Sequence, residues 1–349
     1  MNQTYFLGAN TKDGFASLYG DFPGRKVDFL HIIKGGPGTG KSGFMRKIGK
    51  AAEARGYDVH YVLCSGDPDS LDGVYIPALR VAWVDGTAPH VIEPVGFGAD
   101  SDYVNLGKFC RVPFGEEDRR RVADITHRYK ALYDRAYAYL SAAASLQKAS
   151  LPKLFDGERQ AAVRKRLDGI LDRTLGRARP GGGDCIRRFL CAVSCQGELR
   201  LNGEIEKLCK LIYQFDNGFG GADPALRYMA EGAMSRGADV ILCPSPLDPE
   251  RLEAVLLPQS GVAFVSDGWE LDSSRHVRID SLISTGDQQA LRPELRESAK
   301  LTRRMTALAY EKLRQAKNLH DELEAVYKPH MDFPALTRFT DSEIKKLFK

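Results

Sequence analysis

The sequence predicts an α/β protein of two tandem modules, each a mainly parallel sheet with flanking helices and each carrying a helical appendage. Three observations predict it: a complete phosphate-binding loop between a strand pattern and a helix pattern, an internal repeat of that unit, and two long helical stretches that repeat as well. The divisions fall at 1–115 for the first module, 116–182 for a helical appendage and linker, 183–286 for the second module, and 287–349 for a C-terminal helical appendage.

Gly35 to Ser42 read Gly-Gly-Pro-Gly-Thr-Gly-Lys-Ser, a full Gly-x-x-x-x-Gly-Lys-Ser loop. Ahead of it, Val27, Phe29, Leu30, Ile32 and Ile33 form the short apolar run of a strand buried on both faces. Behind it, Phe44, Met45, Ile48, Ala51 and Ala52 share one helical face, with Lys47, Lys50 and Glu53 turned elsewhere. Arg55-Gly56 ends that helix, since glycine accepts the left-handed conformation past a C-terminus. The loop therefore opens a helix whose positive dipole end faces an anion. Glycines let successive backbone N–H groups turn around a β-phosphate, where a Cβ would obstruct. The expected nucleotide contacts are Gly35, Gly36, Pro37, Gly38, Thr39, Gly40, Lys41, Ser42 and Gly43. Lys41 would bridge the β- and γ-phosphates, and the Ser42 hydroxyl would hold Mg²⁺.

A second strand over 58–64 completes a β-loop-α-β unit with a right-handed crossover. Asp67-Pro68-Asp69-Ser70-Leu71-Asp72 lies past its C-terminal end, where open α/β sheets place ligands. Asp67 either caps a turn opened by Pro68 or, with Asp72, faces Mg²⁺, water or substrate. Val81-Ala82-Trp83-Val84-Asp85 is an apolar strand ending in an acid, which makes Asp85 the metal-site candidate. No glutamate follows Asp85 to activate water. His90 is either a loop histidine or a group that senses the γ-phosphate or orients water. The catalytic candidates are thus Lys41, Asp67, Asp72 and His90. The chain has no Asn-Lys-x-Asp guanine-reading pattern, so ATP is favoured over GTP.

In one ungapped register, Arg55-Gly56 and Asp58-Val59 align with Arg236-Gly237 and Asp239-Val240. The same register carries Asp67-Pro68, Leu71, Val74 and Pro77 onto Asp248-Pro249, Leu252, Val255 and Pro258, and Val81-Ala82 and Val84 onto Val262-Ala263 and Val265. Upstream, Phe6-Leu7, Ala9 and Gly14 pair with Phe189-Leu190, Ala192 and Gly197. Ala136-Tyr137, Leu140, Ala143 and Leu146 recur as Ala309-Tyr310, Leu313, Ala316 and Leu319. The second half is a copy of the first. In it the loop has become Asp216-Asn217-Gly218-Phe219-Gly220-Gly221-Ala222-Asp223, so Ala222 replaces the lysine and Asp223 the serine. Two acids would oppose a phosphate there, while Pro224 suits a first helical turn. A surviving turn without phosphate chemistry is expected, a structural or regulatory pseudo-site.

The chain resembles a bacterial family of predicted ATPases with two tandem P-loop NTPase modules. The resemblance spans nearly the whole length. It is carried by Phe6-Leu7 through Gly14-Phe15, by Lys34 through Ser42, and by Cys64 with Asp67 through Asp72. It continues in Asp85 through His90 and in His320-Asp321-Glu322-Leu323-Glu324. It implies a P-loop fold and ATP binding, with no substrate or pathway attached. Members carry an intact loop in each half, and this chain departs from that in the second, which argues against ATP cycling at two sites.

The 349 residues, 43% hydrophobic and 28% charged, suit two domains with real cores. No leader pattern and no apolar stretch of spanning length occur, so a cytoplasmic location without a membrane partner is expected. Seven cysteines without Cys-x-x-Cys suggest reduced thiols. Helical sections over about 116–177 and 288–327 carry an apolar face at Leu132, Ala136, Leu140 and Ala143, which fits a helical hairpin packed on itself or on its counterpart. Leu151-Pro152 breaks the first section, and the run from Arg177 to Gly183 reads as the linker. Basic residues from Arg119 to Arg179 either form a solvated face balanced by neighbouring acids or meet nucleic-acid phosphates.

The leading expectation is an ATP-binding protein, a Mg²⁺-dependent ATPase coupling nucleotide state in the first module to conformational change. The alternatives are a small-molecule kinase, or a non-hydrolysing ATP-gated binding or scaffold protein, with a protein partner, a second copy or nucleic acid as further ligands.

Overall fold

The chain opens with strand β1 (Gln3–Phe6) and a hairpin of β2 (Gly8–Thr11) and β3 (Gly14–Ser17). Next come β4 (Phe29–Lys34), helix α1 (Lys41–Glu53), β5 (His60–Leu63), β6 (Leu71–Ile76), β7 (Val81–Asp85) and β8 (Ser101–Asn105). Helices α2 (Glu116–Ala149) and α3 (Gly157–Leu175) lead into β9 (Cys185–Arg187), β10 (Cys191–Ser194), β11 (Gly197–Arg200) and α4 (Asn202–Leu208). The second series continues with β12 (Leu211–Phe215), α5 (Ala222–Met234), β13 (Val240–Pro244), β14 (Leu252–Leu257), β15 (Val262–Ser266) and β16 (Arg275–Val277). Two helices, α6 (Thr285–Tyr327) and α7 (Phe333–Leu347), close the chain. This computed structural model describes residues 1–21, 27–89, 91–149, 157–176 and 182–349. The candidate His90, the break at Leu151-Pro152 and most of the linker from Arg177 lie outside the described residues.

Two six-stranded sheets result, ordered β1-β5-β6-β7-β4-β8 and β9-β13-β14-β15-β12-β16. Replacing each strand by its repeat partner converts one order into the other. In each sheet a single strand, β6 or β14, runs against the rest. The mainly parallel sheet expected from sequence is therefore a mixed one. Leu71–Ile76 contains Asp72 and Gly73, two residue types that strands disfavour, and this hid β6 behind what reads as a polar loop. A register shift between Val62 and Leu63 passes over Asp72 in the β5 ladder, and β14 repeats it against Cys243 and Pro244, passing over Glu253. Bulges of this kind re-aim one side chain.

Both faces of each sheet are covered, which is why the strands read as continuous apolar runs. On one face of the first sheet, Phe44, Met45, Ile48 and Ala52 of α1 join Ile33, Val74 and Trp83, together with Leu336 of α7. On the matching face of the second, Leu226 and Met229 of α5 join Phe264 and Val255, with Leu167 and Leu171 of α3 added. The remaining faces share one core in which Tyr5, Phe6, Leu7, Ile32 and Val84 meet Phe189, Leu190, Ile212, Ala263 and Val265. Each fully buried side chain of this size contributes about 1.5–3 kcal/mol. The two sheets are therefore fused through a common interior.

Of the two hairpin arrangements the helices allow, α2 takes its counterpart. Ala136 and Leu140 pack on Ala309 and Leu313, the residues that the repeat equates, and Ile125 packs on Leu319, Leu323 and Val326. The Ser298 hydroxyl donates to the Leu146 carbonyl at 3.0 Å. Helix α3 lies instead against α5, where Leu171 fills the space over Gly232. The basic surface of α2 is partly self-neutralised: Arg120 pairs with Glu116, and Arg128 with Asp124 at 3.1 Å. All seven cysteines are free thiols. Among the described residues no helix is long and apolar enough to cross a membrane.

Candidate active site

The Gly35–Gly40 segment joins β4 to α1 at the C-terminal edge of the first sheet. Gly38 and Gly40 take φ of +67° and +84°, a region that L side chains avoid. Lys41 folds over the loop, donating to the carbonyls of Gly35 at 2.9 Å and Gly36 at 3.0 Å, and its Nζ lies 3.5 Å from Asp85 Oδ2. The Thr39 hydroxyl donates to the Gly36 carbonyl at 2.8 Å. Ser42 Oγ accepts the Leu71 N–H at 3.0 Å, which ties the first turn of α1 to the start of β6. Asp85, at the end of β7, accepts the Thr87 N–H at 2.9 Å and is almost fully buried. The fold thus draws Lys41 and Asp85 together from β4–α1 and β7, as neighbouring parallel strands must.

Asp72 follows by strand geometry. Gly73 pairs with Val84, so one further step of the antiparallel ladder sets Asp72 across from Asp85 on the same face. Asp72 is buried beside Tyr19 and Cys64. Burial pushes both the Tyr19 hydroxyl and the Cys64 thiol well up, and the Asp72 charge adds to it. Asp67 caps the turn into β6: the Ser70 N–H donates to its carbonyl at 2.8 Å and the Ser70 hydroxyl to its Oδ2 at 3.0 Å. The same Oδ2 lies 3.5 Å from Lys317 Nζ. Of the two roles open for Asp67, the turn cap is the one these bonds make. Among the described residues no three His, Cys, Asp or Glu side chains form a metal-binding group. A cation here would have Ser42 and Asp85 as protein ligands and complete its shell with phosphate oxygens and water, the habit of Mg²⁺.

Sequence reasoning missed the wall of this site, which comes from α2 and the C-terminal helices. Glu324 of α6 lies so close to Gly38 that a Cβ there would sit 3.2 Å from its carbonyl oxygen. A Cβ on Gly40 would meet Leu336 of α7 at 2.8 Å. His320 of α6 stands beside the Tyr129 ring of α2; burial lowers its pKa, Glu324 opposes this, and the charges of Lys317 and Lys41 lower it further. Tyr133 of α2 reaches over Gly66. The sequence marks only the run His320 to Glu324, through family resemblance. Nothing local in Lys317, Tyr129 or Tyr133 marks a site, because about 90 residues separate the two tyrosines, and about 275 separate Lys317, from the loop they cover.

The second module shows the corresponding segment without the lysine and serine. Helix α5 starts at Ala222 where α1 starts at Lys41, and both have 13 residues. Asp223 Oδ1 accepts the Leu252 N–H at 2.8 Å, the bond that Ser42 and Leu71 make in the first module. Ser266 stands in the place of Asp85, and its hydroxyl donates to Glu253, the partner of Asp72, at 2.8 Å. The expectation of a surviving turn needs correction: length and helix start persist, but Gly220 is the one position of this loop with positive φ, at +79°. A side chain occupies the turn. The Gly218 N–H donates to Asp280 Oδ2 at 2.8 Å, while Asp216 Oδ1 accepts the N–H groups of Ile279 at 2.6 Å and Asp280 at 3.0 Å. Burial and the Asp216 charge raise the Asp280 carboxyl to about 6.

No family model, curated protein or solved structure matches the chain.

Proposed function

We propose that the first module binds Mg-ATP and hydrolyses it, and that α6 carries the nucleotide state to the rest of the chain. The observation that supports this most is the approach of Lys41 to Asp85 at the start of α1, beside a loop whose Gly38 and Gly40 adopt positive φ and next to Ser42, which is tied to β6. In this reading Lys41 leaves the Gly35 and Gly36 carbonyls for the β- and γ-phosphates. The loop N–H groups and the α1 dipole stabilise charge on the transferring phosphoryl group. Ser42 and Asp85 hold Mg²⁺, and Asp72 or Asp67 orients the attacking water. Phosphate release by the full chain should require Mg²⁺ and should disappear in Lys41→Ala. Undiminished turnover in that variant would sink the reading.

A non-hydrolysing ATP switch is the second reading. It is supported by the residues after Asp85, which are Gly86 and Thr87 rather than an acid, with the Thr87 hydroxyl itself bonded to Asp85. Stoichiometric ATP binding without phosphate release would select it.

A further inference from the structure

Resting on that reading, we infer that Lys317 of α6 is the group that distinguishes a nucleoside triphosphate from a diphosphate at the first module's loop. Lys317, His320, Asp321 and Glu324 recur at spacings of three and four residues and so share one face of α6. That face runs along the mouth of the loop. Lys317 lies 3.5 Å from Asp67 at one end, and Glu324 packs against Gly38 at the other. Lys41 is engaged with the loop carbonyls and Asp85, and of the further cations at this mouth Lys328 pairs with Glu324 at the Gly38 end while Lys317 stands at the Asp67 end. Its ammonium is partly exposed and held between two acids, Asp67 and, at 2.6 Å, Asp321.

A terminal phosphate arriving beside Asp67 carries more charge than one carboxylate and offers three oxygens, so it competes for the ammonium at short range. A diphosphate ends short of that position and leaves the Lys317–Asp67 pair in place. The repeat agrees with this assignment. In the register that equates Ala143 with Ala316, the partner of Lys317 on α2 is Ala144, a buried apolar residue. The cation therefore accompanies the module with the intact loop. Because α6 also packs along α2 through Leu313 and Leu323, a shift of Lys317 from Asp67 to phosphate bears on the helix pair joining the two halves.

The test is equilibrium dialysis of the full chain with Mg-ATP and Mg-ADP, for wild type, Lys317→Ala, Lys317→Arg and Lys41→Ala. Lys317→Ala should weaken ATP binding about tenfold while moving ADP binding less than about twofold, and Lys317→Arg should restore most of the ATP preference. Equal loss for both nucleotides, or no loss, would overturn the assignment and leave Lys317 a structural residue. Wild type that binds neither nucleotide, or Lys41→Ala that binds both normally, would instead remove the underlying reading and the inference with it.

Discussion

Phe6 and Phe189 exchange both of their backbone hydrogen bonds, each N–H donating to the other's carbonyl at 2.9 Å. They are the same position of the repeat, so the rotation that relates the two halves passes between them. Both rings are fully buried in the core that the sheets share. Replacing either with alanine should cost about 3–5 kcal/mol, the usual range for a buried phenylalanine. Because the core is common, calorimetry should show one unfolding transition in the wild type, moved down but not split in Phe6→Ala. Two separate wild-type transitions would mean that the sheets fold independently.

Much of this architecture was legible in the sequence because its signals are local or periodic. The strand over 27–33, the loop, α1 and its stop at Gly56 each follow from neighbouring residues, and the repeat carries them into the second half. What escaped depends on distant packing. Strand β6 was hidden because Asp72 and Gly73 oppose strand formation, and the register shift that passes over Asp72 in the β5 ladder carries no local signal. The wall of α2 and α6 was hidden because no short-range pattern shows which loop a long helix will cover. The absence of the lysine and serine from the second module's loop was readable from Ala222 and Asp223. The Asp280 carboxylate that accepts from this loop, about sixty residues away, was not.

Gly38 links the loop to α6 through space as well as conformation. Its φ of +67° costs an L residue about 1–2 kcal/mol, and a Cβ would press on the Glu324 backbone at 3.2–3.3 Å. Gly38→Ala should therefore lower stability by at least that amount in urea unfolding. Gly43→Ala, where a Cβ meets nothing within 4 Å inside α1, should raise stability by about 0.5–1 kcal/mol. Equal effects of the two substitutions would refute the close approach of α6.

His60 sits buried between the rings of Tyr5 and Tyr75, and its Nδ1 has no partner among the described residues. Burial, then the Arg188 charge, lowers its pKa from 6.5 to about 3. A histidine pKa lowered on folding contributes stability that is present above 6.5 and lost as pH falls toward 3, at up to about 1.4 kcal/mol per pH unit. His60→Phe keeps the ring contacts and cannot be protonated. Its stability advantage over wild type should grow as pH drops from 6.5 to 4.5 and vanish above 7, read from urea midpoints. A constant difference across that range would show that His60 does not titrate against folding.

Asp280 makes the opposite pH signature in the second module. Its carboxyl is raised from 3.8 to about 6 by burial and by Asp216, despite the bond it accepts from Gly218. An acid raised on folding is stabilising while protonated, so the contribution is present below about 4 and lost as pH climbs through 6. Asp280→Asn keeps an oxygen for the Gly218 N–H and removes the charge facing Asp216. The variant should match wild type near pH 4 and exceed it by about 1–2 kcal/mol at pH 7.5, a range that allows for solvent screening of a half-buried group. If Asp280→Asn is instead the weaker protein at pH 7.5, then the ionised carboxylate is the better ligand for this loop. The second module would in that case be held together by its own substitute for phosphate.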